Sequence, residues 1–349
     1  AKTISTAPII WVYSKKQLSL SSPGNDLEFI HTYSQDSHQE LGPMGYGWSH
    51  NYMSRVIQTQ DCAGVIIVTG TDGGTTRFWK QNGEIVPMRG YHSKLVNNPD
   101  GSYSFYSKNG THYHYINQQD NVWWNDYIED PNGNRTNIQL QHNPGFAPVV
   151  LLVTDAMGRK LVYHYETRTI RSRTGRILVG ISAPDGKEIK FSYTSNGHLE
   201  FVKMDCESSS GCSADEAYEY SLSPDEFVLD HTSNILESVT DNITGAKRSY
   251  IYEDIEMNYI VAGAEVQNGM LERKVKSIEE DDAGTTSFNF TTTNKFNASA
   301  VVNQNGNIST YTMNAYGAAT HISAPNGNKT MDWEISDEIL LTSETDENG

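Results

Sequence analysis

One short phrase recurs along the chain, and it limits the fold more than any other feature. "TDAMGRKLVYHY" (Thr154–Tyr165) opens on an acid and reaches a glycine three residues after it. A basic residue follows, then an alternating strand that ends in tyrosine. "APDGKEIKFSY" (Ala183–Tyr193), "TDNITGAKRSYIY" (Thr240–Tyr252) and "DPNGNRTNIQL" (Asp130–Leu140) have the same form. An Asp or Asn such as Asp155 or Asp185 opens a turn by bonding nearby backbone, and Gly158 or Gly186 supplies the positive φ that the turn needs. The residues beyond the glycine alternate with the period of a strand. After Gly158 and Arg159, Leu161, Tyr163 and Tyr165 share one face; after Gly186, Ile189, Phe191 and Tyr193 do so. Tyr250 and Tyr252 follow Gly245 in the same phase, and Tyr311 and Met313 follow Gly306. One hairpin cannot bury such a face, but stacked hairpins cover one another's faces and edges.

The spacing supports a repeat. Gly284, Gly306, Gly327 and Gly349 lie 22, 21 and 22 residues apart; Gly133, Gly158, Gly186 and Gly245 are separated by 25, 28 and 59. The widest gap holds an irregular insertion at about 203–235. After Gly284 and Gly327 the apolar residues (Phe288/Phe290 and Met331/Trp333) fall at even offsets, which predicts a bulge or a turn one residue longer. "NPDGSYSFYSKNGTHYHY" (Asn98–Tyr115) carries two turns in succession, the form of tight hairpins. Only "DEAYEYSLS" and "NGMLERKVKSIEE" hint at a turn or two of helix. The pattern therefore predicts an all-β chain, a long curved antiparallel sheet of stacked β-hairpins. It divides into an N-terminal β module over 1–120 and a repeat sheet over 121–349.

A net charge of -17 and a pI near 5.0 oppose a nucleic-acid partner or an anionic membrane surface. The longest apolar run, "FAPVVLLV" (Phe146–Val153), falls well short of the ~20 residues of a spanning helix, so no membrane insertion is expected. Cys206 and Cys212 sit close together in "DCESSSGC", far from Cys62. In an oxidising compartment they could form a small-loop disulfide with Cys62 free; otherwise they are reduced thiols.

No catalytic, cofactor or metal set stands out. His112 and His114 share a strand face with no carboxylate close in sequence, so a wet sheet face is expected rather than a metal. Asp36, His38 and Glu40 read as a solvated loop, and "EEDDAG" (Glu279–Gly284) lacks the order of a calcium loop. There is no nucleophile elbow, P-loop or dinucleotide fingerprint. Trp123 and Trp124 are adjacent and point to opposite faces of a strand, so one of them could serve as a sugar-stacking platform.

The repeated phrases resemble the YD repeat of the RHS family, whose units carry a Tyr and an Asp around a D-x-x-G-R turn. The stretch Leu18–Val56 resembles the module that precedes those repeats, through "EFIHTYS" and "GYGWSHNYMSRV". "TDGGTTRFW" (Thr71–Trp79) and "DGSYSFYSKNGTHYHY" continue it. Within that module Trp48 and Tyr52 read as apolar anchors, Gly45 and Gly47 as turn positions, and His50 and Asn51 as structural. Departures from the family pattern are the irregular region 203–270, the cysteine loop and later turns with Asn-Gly in place of D-x-x-G-R. The resemblance covers the chain from about residue 15 and implies the first part of a hollow β-shell. Such a bacterial protein is secreted or lies at the cell surface as a non-enzymatic scaffold, of the polymorphic-toxin or cell-contact type. The implied partners are the rest of its own chain beyond Gly349, where "TDENG" opens a fresh turn, and an enclosed C-terminal domain or a cell-surface glycan. Nothing matches the family's self-cleaving aspartate motif. The alternatives are an adhesin or carbohydrate-binding β module, and an extracellular polysaccharide-degrading enzyme.

Overall fold

A computed structural model describes residues 12–59, 65–71, 74–81, 84–87, 93–119, 121–143, 147–204, 215–221, 234–261, 264–281, 283–294, 297–313, 319–334 and 340–346. Strand makes up 70% of the chain and helix 1%, in a long antiparallel sheet, so the fold is all-β. Both segments with a helical hint are strands, Glu216–Ser221 and Ala264–Glu280. In the first, Glu216 and Tyr218 are buried and Glu219 is exposed; in the second, Val275 and Ser277 are buried around exposed Lys276. That period of two fits a strand and not a helix. The cysteine loop with Cys206 and Cys212, and separately Cys62, lie outside the described residues.

The chain forms two compact units, Val12–Asp215 and a second from Glu216 onward. His112–Gln119 and Val122–Glu129 pair antiparallel as the two arms of one hairpin. In the second unit, strands from Glu216–Ser221 to Leu340–Asp346 pair antiparallel in chain order. Gly284 and Gly327 are themselves paired, with Glu280 and Ala324, whereas Lys160 is the first paired residue after Gly158. The even offsets thus come from strands that begin at the glycine. A bulge also lies between Asp332 and Trp333.

Among the described residues of the first unit the same five-residue turn is built six times: Asn98–Ser102, Ser107–Thr111, Asp130–Asn134, Asp155–Arg159, Ala183–Lys187 and Thr194–His198. In each, the first N–H donates to the fifth carbonyl, and the glycine N–H at the fourth position donates to the first carbonyl. The glycines have φ between 80° and 88°, the left-handed conformation that a Cβ penalises.

A second device recurs beyond the turns. The strand Val149–Thr154 bulges against Arg135–Gln141, Arg173–Ser182 against Lys160–Ile170, and Ile235–Asp241 against Glu216–Ser221. A bulge breaks the local ladder and frees a carbonyl. On the next strand a tyrosine donates its hydroxyl to the carbonyl just before each extra residue. The pairs are Tyr165 to Val150 (2.9 Å), Tyr193 to Leu178 (2.6 Å) and Tyr252 to Leu236 (2.5 Å). Trp333 Nε1 does the same to Ala319 (2.7 Å), where Ala319–Ala324 bulges against Asn307–Met313. Each aromatic fastens three strands at one point.

The first unit also holds an eight-stranded roll. Arg55–Gln58, Val65–Thr69, Thr75–Gln81 and Glu84–Pro87 pair in series, as do Lys94–Asn97, Tyr103–Tyr106, His112–Gln119 and Val122–Glu129. Val122–Trp124 then pairs with Arg55–Ile57 and joins the two series. Glu84–Pro87 and Lys94–Asn97 meet at a seam. Val56, Ile66, Phe78, Ile85, Leu95, Tyr103, Tyr115 and Trp123, one from each strand, share the enclosed core. Beyond Trp124 the strand changes partner and pairs with Arg135–Asn137. Buried Asn125 holds the fork: its Nδ2 donates to the His114 and Tyr127 carbonyls (2.8 and 2.9 Å), and its N–H to Ser54 (3.1 Å).

Candidate functional site

The polar and aromatic residues singled out by the sequence converge where a small sheet docks on the repeats. Val12–Leu20, Leu27–Ser34 and Trp48–His50 form this three-stranded sheet. Three sets of contacts seat it within the first unit.

The first set is at the tip, residues 21–26. Asp155 is buried; its carboxylate accepts from the Met157 and Arg159 N–H groups (3.0 and 2.8 Å) and from Arg159 Nε (2.8 Å). The Arg159 guanidinium donates onward to the Ser21 carbonyl (2.6 Å). Burial pushes the Asp155 pKa up, but the bonds from Arg159 outweigh it and hold it below the ordinary carboxylate value. Asp130 repeats the pattern with Asn132 and Asn134, and Gly24 lies so close that a Cβ there would meet Asn134 at 2.7 Å. The Asp of the phrase thus caps its own turn, and its basic partner holds the docked module.

The second set is aromatic. Phe29 packs edge-on against both Tyr163 (6.2 Å) and Phe191 (5.7 Å), and the His50 ring lies near-parallel to Tyr163 (5.3 Å). The repeat rings do not stack on their counterparts in neighbouring strands. Tyr163 faces Ile181 across the ladder, Phe191 faces Val202, and Tyr250 faces Ile278. Equivalent residues of successive hairpins sit two strands apart, about 10 Å, too far for ring contact. Phe29 fills that gap between Tyr163 and Phe191. Tyr163, Phe191, Tyr193 and Tyr250 are buried, whereas Tyr165 and Tyr311 are half-buried.

The third set is the "GPMGYGW" loop. The Leu178 N–H donates to the Pro43 carbonyl (2.8 Å) and the Tyr46 N–H to the Gly197 carbonyl (3.3 Å). Gly45 has φ 89°, and a Cβ there would lie 2.4 Å from the Gly197 oxygen, so only glycine allows this approach. Asn51 completes the motif: its N–H donates to the Ile30 carbonyl, its Oδ1 accepts from the Ile30 N–H (3.1 Å), and its Nδ2 donates to the Glu28 carbonyl (3.2 Å).

His50 lies in this seam with Nδ1 accepting from the Tyr52 N–H (3.3 Å). Burial pushes its pKa down to about 3. Between that value and the ordinary ~6.5 the unfolded chain binds a proton that the folded chain refuses. Stability from this residue is therefore complete above pH ~6.5 and declines as pH falls toward 3. Urea unfolding at pH 7 and pH 5 should show a loss of about 2 kcal/mol that His50→Phe lacks. Equal losses in both proteins would show that His50 is protonated in the folded state.

On the roll, Asp126 Oδ1 lies 2.6 Å from His114 Nδ1, and His114 Nε2 lies 3.0 Å from Ser102 Oγ. The order is that of an Asp–His–Ser relay. Here Ser102 is buried, donates its hydroxyl to Asp100 (2.6 Å) and accepts from Asn98 Nδ2 (2.8 Å). Its proton does not face the imidazole, so the chain of bonds acts as a brace. His112 stacks on Tyr106 (4.6 Å), His114 stacks on Tyr127 (4.7 Å), and Arg135 covers Tyr127 (3.8 Å). Asp126 lies on the other arm of the hairpin, distant from His114 along the chain and adjacent to it only in the fold. Among the described residues no three His, Cys, Asp or Glu are grouped to hold a metal.

Trp124 is buried under Arg55, and Trp123 is half-buried with Nε1 donating to the Gly101 carbonyl (2.8 Å). Neither is an exposed platform. Asp185 and Gly186 lie on an exposed turn, as does Gly245. His38 is half-buried with Nδ1 near the Gln35 carbonyl (2.6 Å), and Glu40 pairs with Arg55 (3.1 Å). Among the described residues no helix is long and apolar enough to cross a membrane.

No curated protein matches the chain. Among solved structures it is similar to a chain of the Tc holotoxin pore of Photorhabdus luminescens, at 12% identity and a TM-score of 0.30, over 97% of this chain and 19% of that one. It is also similar to a TcdB2–TccC3 complex without its hypervariable C-terminal region, at 10% identity and a TM-score of 0.30, over 93% and 21%. A porin-like protein from Bacteroides uniformis gives 11% identity and a TM-score of 0.21, over 74% and 93%. The chain spans about a fifth of the length of the two toxin chains. Residues 11–78, which hold the docked sheet and the first strands of the roll, match the family described as a domain of unknown function, DUF6531.

Proposed function

We propose that this chain is a scaffold segment of an RHS-repeat protein, secreted or displayed at a bacterial surface, with the 11–78 module seated on the first repeats of its shell. One observation carries the reading: the residues that define the repeated phrase are used to hold hairpins and module together. Asp155 and Arg159 fasten the turn to the tip, Tyr163 and Phe191 receive Phe29, and Tyr165, Tyr193 and Tyr252 fasten bulges. In such a protein the sheet continues past Gly349, and the partner is an enclosed domain of the same chain or a surface glycan. Electron microscopy of the natural polypeptide that contains this chain is expected to show a hollow shell with this segment in its wall. A solid particle or an open fibre would overturn the proposal.

A further inference from the structure

The geometry points to a binding site for a neutral saccharide at one end of the eight-stranded roll. A cavity of about 350 Å³ opens there, at the small end of ligand pockets and large enough for a monosaccharide or a chain terminus. Its wall comes from the start of the roll and from the Tyr103–Tyr106 and His112–Gln119 strands. Among the described lining residues five are Ser or Thr, three are aromatic, two are glycine and none is charged. In a chain with 20% charged residues, that composition selects the ligand class. An ionic ligand would face no counter-charge among these residues, and an apolar one would cover the half-buried hydroxyls of Thr71 and Thr76 without pairing them. A neutral polyol can pair with Thr71 and Thr76, each able to donate or accept, and can donate to Ser107, whose own proton is directed to the Thr111 carbonyl (3.1 Å), while its C–H face covers Phe105 or Tyr113.

The wall is held in place before any ligand arrives. Phe105 is braced edge-on by the core residue Phe78 (6.2 Å) and lies 5.8 Å from Tyr113. At the buried floor Ser54 Oγ donates to the Thr69 carbonyl (2.6 Å), and Tyr115 Oη lies 2.8 Å away, so the Tyr115 hydroxyl donates to Ser54. Phe105, Ser107, Tyr113, Thr71 and Thr76 are half-buried, as the walls of an accessible pocket are. Rings and hydroxyls fixed in this way lower the ordering cost of binding.

The test is an array of neutral and acidic saccharides probed with the 349-residue chain, then titration calorimetry with the best neutral binder. Tyr113→Leu removes the polar ring, and Thr76→Val removes one wall hydroxyl at nearly constant volume. The expected result is binding of at least one neutral saccharide, weakened about tenfold or more by Tyr113→Leu and several-fold by Thr76→Val. Unchanged tryptophan fluorescence would show that the variants keep the fold; if Tyr113→Leu does not, Thr76→Val decides alone. Absence of neutral binders, preference for acidic ones, or binding that ignores Thr76→Val would overturn the inference. None of these results bears on the shell, which electron microscopy tests separately.

Discussion

Tyr163→Ala is expected to cost about 4 kcal/mol of unfolding free energy, within the range for removing a buried aromatic ring. The ring is buried and joins two layers, meeting Phe29 edge-on and His50 face-on. Its removal leaves a void that the docked sheet cannot fill without drawing Phe29 away from Phe191. The hydroxyl is a separate matter. It is buried with no hydrogen-bond partner among the described residues, so Tyr163→Phe should be neutral or stabilise by up to about 1 kcal/mol. Tyr193→Phe provides the contrast. There the hydroxyl is the donor to a bulge carbonyl, and losing it should cost about 2 kcal/mol. Urea melts of the three variants read all three values. Equal effects of the two Tyr→Phe changes would refute the division of labour between the tyrosines.

Asp155→Ala should cost about 2 kcal/mol, because it removes the buried acceptor of two turn N–H groups and of half-buried Arg159. Asp155→Asn keeps an acceptor for the turn but loses the charge opposite Arg159, so a smaller loss is expected. The pH dependence separates charge from shape. The folded pKa of Asp155 is held below its ordinary value, so the stability it supplies is present above pH ~4 and is lost as pH falls below that. The gap between wild type and Asp155→Ala should narrow on acidification. A gap that stays constant from pH 7 to pH 3 would mean that the carboxylate contributes through packing alone.

The turns were legible because glycine at positive φ leaves a local mark. Gly101, Gly110, Gly133, Gly158 and Gly186 all take the conformation that the phrase predicts. Gly197 completes the set; its turn, "TSNGH", carries no acid, and neither does "SKNGT" around Gly110. The partners of the aromatic face were not legible. Alternation tells which side of a strand a ring is on, but not that its counterpart sits two strands away with Phe29 between. Nor did alternation separate Tyr163 from Tyr165, which share a face in an ideal strand. The bulge opposite His164 and Tyr165 shifts the register there; the Tyr165 hydroxyl reaches a carbonyl, and the Tyr163 hydroxyl is buried without a partner among the described residues. The cavity was hidden for a related reason. Its wall combines residues 54–76 with residues 105–115, which come together only because Val122–Trp124 returns to pair with Arg55–Ile57.

The fastening of each bulge has a consequence for how such a chain can change length. The carbonyl at Leu178 and the hydroxyl at Tyr193 belong to the two arms of one hairpin, as do Val150 and Tyr165, and Leu236 and Tyr252. A duplication that copies both arms carries its own donor and acceptor, so the sheet can gain or lose a whole hairpin and leave no buried group stranded. A single residue inserted within either arm is different. It turns every later side chain to the opposite face and carries the carbonyl away from its hydroxyl. Variation in a gene of this kind should therefore be quantised: blocks of two strands come and go, single codons vary at the turns, and the arms between keep their length.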